Sequence, residues 1–346
     1  MKLHFVVGLA VVGMTGVLMA QGTPAAPVAA KAPAAPLKLY SLNSETQADP
    51  FPPVNPKNFT ADSPSVATVD SYLKTMVGFD PNRIWRVAAI QKTTAPGVSR
   101  VTALISERAP NAKVMTAVFF VLPDGKHLIG GDANGVTSFG AQPFAANRAI
   151  LQAKANGPAH NSASKDLMLV EFADLQCPHC KDAQATMDKL VKDFPKARIV
   201  FESFPLTEIH PFAFQAATYG ACIAKKSSDA FFTYVQAVYD TQASLTTEAA
   251  EQTLKDAATK AGADPTATAF CGASEAAKNE VNESIALAGE LGVDQTPLLS
   301  INGRMLSIAS IPYETLKTLI QFQAELDGVS PAAVSPAGSG VDLKSR

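Results

Sequence analysis

Two cysteines separated by a proline and a histidine are the residues of this chain best placed to do chemistry. Cys177-Pro178-His179-Cys180 follows an apolar run over residues 167–172. It opens a helical pattern in which Met187, Leu190, Val191 and Phe194 share one face. Pro178 suits the first helical turn, where its missing N–H would have had no partner. The sulfur of Cys177 then sits at the positive end of the helix dipole, beside backbone N–H groups that no helical carbonyl reaches. Those groups favour thiolate over thiol, and the thiolate is the reacting form. His179 adds positive charge in the same turn when protonated. A pair at this spacing can close a disulfide on one helical turn and exchange it with another thiol.

Half of a zinc site is a second reading of the pair, and an inert structural disulfide a third. Zinc needs two more ligands, typically another closely spaced pair. The remaining cysteines, Cys222 and Cys271, have 48 residues between them, and the five histidines are scattered. A ring over two intervening residues gains little from loop closure, which weighs against a purely structural bridge. No metal and no other cofactor is expected.

The elements that must position the pair form an α/β layout. Residues 167–172 read as a strand buried on both faces. The helix of Met187 follows, then a strand over 198–204 and a largely helical stretch over 210–291. A strand over 297–302, a turn at Asn302-Gly303 and a helix over 312–323 complete it. His210-Pro211 begins the helical stretch and reads as a helix start without chemistry. The alanines at 216, 217, 221 and 224 read as close helix packing. Upstream, Ser63-Pro64 reads as an N-cap and first helical residue, with Val66, Val69, Leu73 and Met76 on one face. Strand-like runs follow at 84–91, 101–107, 114–122 and 127–129, with a turn at Pro123-Asp124-Gly125-Lys126. Residues 59–150 are therefore expected to form a small α+β domain without catalytic residues, with Trp85 in its core.

The run Glu171-Phe172-Ala173-Asp174-Leu175-Gln176-Cys177-Pro178-His179-Cys180-Lys181 resembles the strand and active site of DsbA-like thiol–disulfide oxidoreductases of the thioredoxin superfamily. Thr296-Pro297-Leu298-Leu299-Ser300-Ile301-Asn302-Gly303-Arg304 resembles the cis-proline strand of that superfamily. The resemblance covers residues 157–326 and implies a thioredoxin-like fold with a helical insertion. By position it makes Cys177 the exposed, attacked sulfur and Cys180 its buried resolving partner. It implies a cis bond between Thr296 and Pro297, in a loop that faces the dithiol and lines the client chain. Glu171 matches a buried acid beneath the site, where burial would raise its pKa and let it relay a proton to or from Cys180. The Pro178-His179 dipeptide resembles that of the oxidising members. The implied activity is oxidation of client-protein thiols, with recycling by a membrane redox partner. The resemblance further implies a structural disulfide between Cys222 and Cys271; two buried free thiols are the other reading of those residues.

Residues 119–132 resemble the segment before the thioredoxin domain of DsbC/DsbG-like proteins, where an N-terminal domain builds a dimer that holds misfolded clients. This implies a homodimer. It keeps a disulfide isomerase or reductase, or a chaperone-like binding protein, as the alternative function.

The ends of the chain set its expected compartment. Lys2 precedes an apolar run from Phe5 to Ala20, shorter than the ~20 residues of a membrane span. Residues 1–20 are expected to be a signal peptide, with an uncleaved anchor as the other reading. Either places the folded part outside the cytoplasm, in a periplasm-like space where disulfides persist. The Ala/Pro-rich stretch 21–58 is expected to be a disordered linker, and 327–346 a disordered tail. The chain has 346 residues and a net charge of -2, and no basic stripe that would serve a nucleic acid.

Overall fold

The computed structural model describes residues 49–130 and 136–329. The expected signal peptide, most of the expected linker and most of the expected tail lie outside the described residues. Among the described residues no helix is long and apolar enough to cross a membrane. The described residues divide into two compact units, one of 49–66 with 82–130 and 136, the other of 67–81 with 137–329.

Strands β1 (Arg83–Lys92), β2 (Ser99–Glu107), β3 (Met115–Val121), β4 (His127–Gly130) and β5 (Val136–Ser138) lie in sequence order in one sheet. The pairs β1/β2, β2/β3 and β3/β4 are antiparallel. Val101, Ala103 and Ile105 alternate into the buried face, as a two-residue period requires. The turn before β4 forms because Asp124 Oδ1 accepts from the N–H groups of Lys126 and His127 at 2.9 and 3.1 Å, and Gly125 takes φ +66°. Trp85 is half-buried on β1 opposite Ile105.

Two expectations for this region need correction. The expected linker 21–58 ends earlier, because its last ten residues are described and tied down. Phe51 is buried, the Arg86 guanidinium lies 5.2 Å from its ring centroid, and Arg86 donates to the carbonyls of Phe51 and Pro52. Arg86 also pairs with Asp49, so one planar cation holds a proline-rich segment through donors the segment itself lacks. Nor does Ser63 cap a helix. Its carbonyl accepts from the Ser99 hydroxyl, the Ser63–Pro64 bond is cis, and helix α1 (Val66–Val77) begins two residues later.

The second unit is built on strands β6 (Ala159–Asn161), β7 (Met168–Ala173), β8 (Arg198–Ser203), β9 (Leu298–Ile301) and β10 (Arg304–Ser307), in the order β10-β9-β7-β8-β6. Only β7 and β8 run parallel; the other neighbours are antiparallel. Leu169, Leu299 and Ile301 pack against Met187 and Leu190 of α3 (Pro178–Asp193) and Leu316 and Ile320 of α9 (Tyr313–Leu326). Met168, Val170 and Phe172 point the other way, onto Leu151 of α2 (Ala145–Lys154) and Leu287 of α8 (Glu275–Glu290). Helices on both faces account for the unbroken apolar run. Between β8 and β9 stand α4 (Ala213–Ala224), α5 (Ser228–Asp240), α6 (Ala250–Lys260), α7 (Pro265–Gly272) and α8. Ala216, Ala217 and Ala221 are buried in α4, and Cys222 of α4 is bridged to Cys271 of α7 across a Cα–Cα distance of 6.1 Å.

The expected boundary at residue 150 also shifts. From Ala67 onward α1 belongs to the second unit, as does the chain from Thr137. Buried Arg304 ties these segments together. Its Nη2 donates to the Thr75 carbonyl, its Nε to Gln323 Oε1 at 3.0 Å, and its guanidinium lies 4.4 Å from the Phe144 ring centroid. Gly303 takes φ +94° in the turn after β9, and an added Cβ would lie 2.5 Å from the Phe144 carbonyl oxygen. The turn expected at Asn302-Gly303 therefore does double duty, closing the β9–β10 hairpin and seating α2.

The Cys222–Cys271 bridge spans 49 positions of sequence. By the chain-entropy argument a Cys222→Ser, Cys271→Ser variant should lose about 3–4 kcal/mol of unfolding free energy. Urea denaturation with Cys177 and Cys180 left intact measures it.

Candidate redox site

Cys177 is the N-cap of α3, with φ -77° and ψ 121°, and Pro178 is the first helical residue. The Cys177 pKa is lowered to about 5. The largest cause is the hydrogen bond from the Cys180 thiol. The Thr296 side chain and the backbone N–H groups of Cys180 and His179 add to it, while burial opposes. The amides at the helix start thus act as expected but rank behind a donor the spacing argument had not weighed. Cys180 is fully buried, and burial above all, then its bond to Cys177, pushes its pKa far above the usual thiol value. One sulfur is held as an anion and its neighbour as the neutral donor to it.

The expectation of an exposed Cys177 needs qualification. The residue is 4% exposed, while Pro178 and His179 beside it are exposed. The cover comes from the strand entry opposite. The Thr296 carbonyl oxygen lies 3.8 Å from Cys177 Sγ, and the Thr296–Pro297 bond is cis. The Thr296 hydroxyl is buried and makes no hydrogen bond of ordinary geometry, so its support of the thiolate is that of an oriented dipole. The backbone N–H of His179 is one of the groups that lower the Cys177 pKa.

Glu171 is 3% exposed on β7, and burial raises its pKa to about 8 against one opposing hydrogen bond from Gln184. Gln184 Nε2 donates to Glu171 Oε1 at 3.2 Å and to the Cys180 carbonyl at 3.2 Å, linking the acid to the helix that carries the dithiol. A cavity of about 590 Å³ reaches Glu171 between α3, β8 and α5. At neutral pH the carboxyl therefore keeps its proton.

Sequence reasoning missed several residues around the dithiol. Gln242 donates to the carbonyls of Leu175 and Cys177, both at 3.0 Å. Tyr239 is fully buried and donates to the Asp174 carbonyl at 3.5 Å. His210 is not an idle helix start: α4 begins at Ala213, and the imidazole Nδ1 lies 2.8 Å from Asp174 Oδ2. Nothing in the sequence pattern marks these contacts, since their partners lie 36 to 67 positions apart. Among the described residues no group of three or more His, Cys, Asp or Glu could hold a metal ion.

Residues 161–322 match the family model described as Thioredoxin. Among solved structures, oxidised BdbD from Bacillus subtilis is 19% identical, with a TM-score of 0.44, over 49% of this chain and 93% of that one. The catalytic domain of Proteus mirabilis ScsC is 20% identical, with a TM-score of 0.42, over 51% and 98%. The thiol-disulfide exchange protein alpha-DsbA2 from Wolbachia pipientis is 18% identical, with a TM-score of 0.44, over 54% and 96%. Among curated proteins, Na(+)/H(+) antiporter NhaA 3 of Salinispora tropica is 35% identical over 60 residues, 17% of this chain and 9% of that protein. NhaA 1 of Salinispora arenicola is 41% identical over 49 residues, 14% and 8%. The chain thus spans about a tenth or less of the length of the curated relatives it matches. Residues 161–322 have a thioredoxin-like fold. Its dithiol stands at a helix start and faces a cis-proline loop.

The raised Glu171 pKa has a stability signature. Its ordinary value is 4.5 and its folded value about 8. Between the two the unfolded chain binds fewer protons, so this carboxyl makes folding less favourable as pH rises through the window. Relative to the parent protein, Glu171→Gln should gain stability between pH 4.5 and about 8. Urea unfolding on either side of the window measures the gain; a constant difference would contradict the burial argument.

Proposed function

We propose that this chain is an extracytoplasmic dithiol oxidase that exchanges the Cys177–Cys180 disulfide with thiols of client proteins. The observation that carries the reading is the opposite treatment of two thiols one helical turn apart. Cys177 is lowered to about 5 and Cys180 is raised. A client thiolate attacks Cys177 Sγ of the oxidised site, the S–S bond breaks, and its electron pair leaves on Cys180. A second client thiolate attacks its partner sulfur in the mixed disulfide and expels Cys177. Two electrons pass to the protein and the client gains a disulfide. Because Cys177 leaves as a stabilised thiolate, the reduced protein is favoured and the client is oxidised.

The remaining roles follow from position. Glu171 supplies or receives the proton as the Cys180 sulfur changes charge, Gln184 being its link to the helix. Thr296 and Pro297 hold the client backbone beside Cys177, and Pro178 and His179 offer the exposed approach. The Cys222–Cys271 bridge supports an oxidising compartment. A membrane redox partner for recycling and a homodimer remain part of the proposal through the family resemblance. One feature favours isomerase or client-holding activity as a second reading: the first unit leaves Val114, Met115 and Ile129 exposed.

Three assays test the proposal. Cys177→Ser should abolish oxidation of reduced ribonuclease, and Cys180→Ala should accumulate mixed disulfides visible on non-reducing gels. Absence of trapped species would contradict the assigned roles. Equilibration with glutathione should give a potential nearer the about -120 mV of a strong oxidant than the about -270 mV of thioredoxin. A low potential with efficient rescue of scrambled ribonuclease would instead favour the second reading.

A further inference from the structure

The chain leaving β7 is fixed by one residue. Asp174 is 1% exposed, and its backbone N–H donates to Cys180 Sγ at 3.4 Å. Its carbonyl accepts from the Cys177 N–H at 3.1 Å, closing the turn into α3. Its Oδ1 accepts from the Gln176 N–H at 2.7 Å. Its Oδ2 accepts from the Leu206 N–H and meets His210 Nδ1, both at 2.8 Å. The segment before α4 is bound to the same turn twice more. The Phe204 N–H donates to the Ala173 carbonyl at 2.8 Å, and the Phe212 N–H to Gln176 Oε1 at 2.8 Å. The β7–β8 ladder has ended at Ala173 and Ser203, so the sheet does not orient these groups.

We propose that Asp174 and His210 form a positioning pair that aims the Asp174 amide at the resolving sulfur. The inference rests on the reading of Cys177 and Cys180 as an exchanging pair and deepens it. When a client thiolate attacks Cys177 Sγ, the S–S bond breaks and negative charge develops on Cys180 Sγ. A donor already aimed at that atom binds the developing thiolate more strongly than the neutral sulfur. The amide and the carboxylate belong to one residue. Clamping both carboxylate oxygens therefore fixes the direction of the N–H. The Asp174 amide is the group in contact with the reacting atom; His210 acts through Asp174 and completes the clamp from the insertion. The insertion is thereby coupled to the leaving group of the exchange.

The experiment measures the second-order rate at which dithiothreitol reduces the oxidised full-length protein, by quenching and alkylation. His210→Ala should slow reduction about fivefold, the scale of one hydrogen bond in a transition state. His210→Asn should restore most of the rate, because its amide can donate from near the position of Nδ1. His210 is used because Asp174→Ala also removes turn contacts and could prevent folding. Unchanged reduction of His210→Ala would overturn the proposal. So would equal slowing in His210→Ala and His210→Asn, which would signal general loosening. A parent protein that is not reduced at all would instead refute the exchange reading itself.

Discussion

Two sulfurs on one helical turn compete for a single proton, and the surroundings settle the competition in favour of Cys180. Its complete burial makes a charge there costly, and it becomes a donor to Cys177. Helix-start amides, the Thr296 dipole and that S–H together hold the Cys177 anion at the cost of its own partial desolvation. The pair titrates as a unit, so neither cysteine has its value without the other. Directional exchange requires this asymmetry: one sulfur must leave easily and the other must resolve.

The fold supplies the asymmetry through burial and aim. β7 carries Glu171 and ends at Ala173, with Asp174 and the dithiol turn directly after it. Helices cover both faces of the sheet, and a carboxyl buried beneath them keeps its proton to about pH 8. The cis-proline entry to β9 covers Cys177 from the opposite side. The helical insertion is bonded to the redox turn through Leu206, His210 and Phe212. Gln242, beyond α5, also holds the Cys177 carbonyl.

Elements with strong periodicity were legible in the sequence. The run at 167–172 and the face of Met187 and Leu190 became β7 and α3 because apolar spacing reports local geometry. Short pieces escaped: β6 and β10 have three and four residues, too few to show a period. The amphipathic face of α1 was visible, but the bond from Arg304 to the Thr75 carbonyl, across more than 200 positions, was not. The site divided in the same way. Cys177 and Cys180 stood out by spacing. Asp174 and His210 did not, because a polar contact across 36 positions leaves no local pattern. The helix-start argument pointed to Cys177, whose pKa is lowered, and underrated the thiol beside it.

The most direct measurement is the rate of iodoacetamide alkylation of Cys177 in the reduced protein as a function of pH. The account requires a midpoint near 5, with Cys180 unreactive through neutrality. An ordinary thiol titrating at about 8.5 would contradict it, since the leaving sulfur would then have nothing to hold it as an anion.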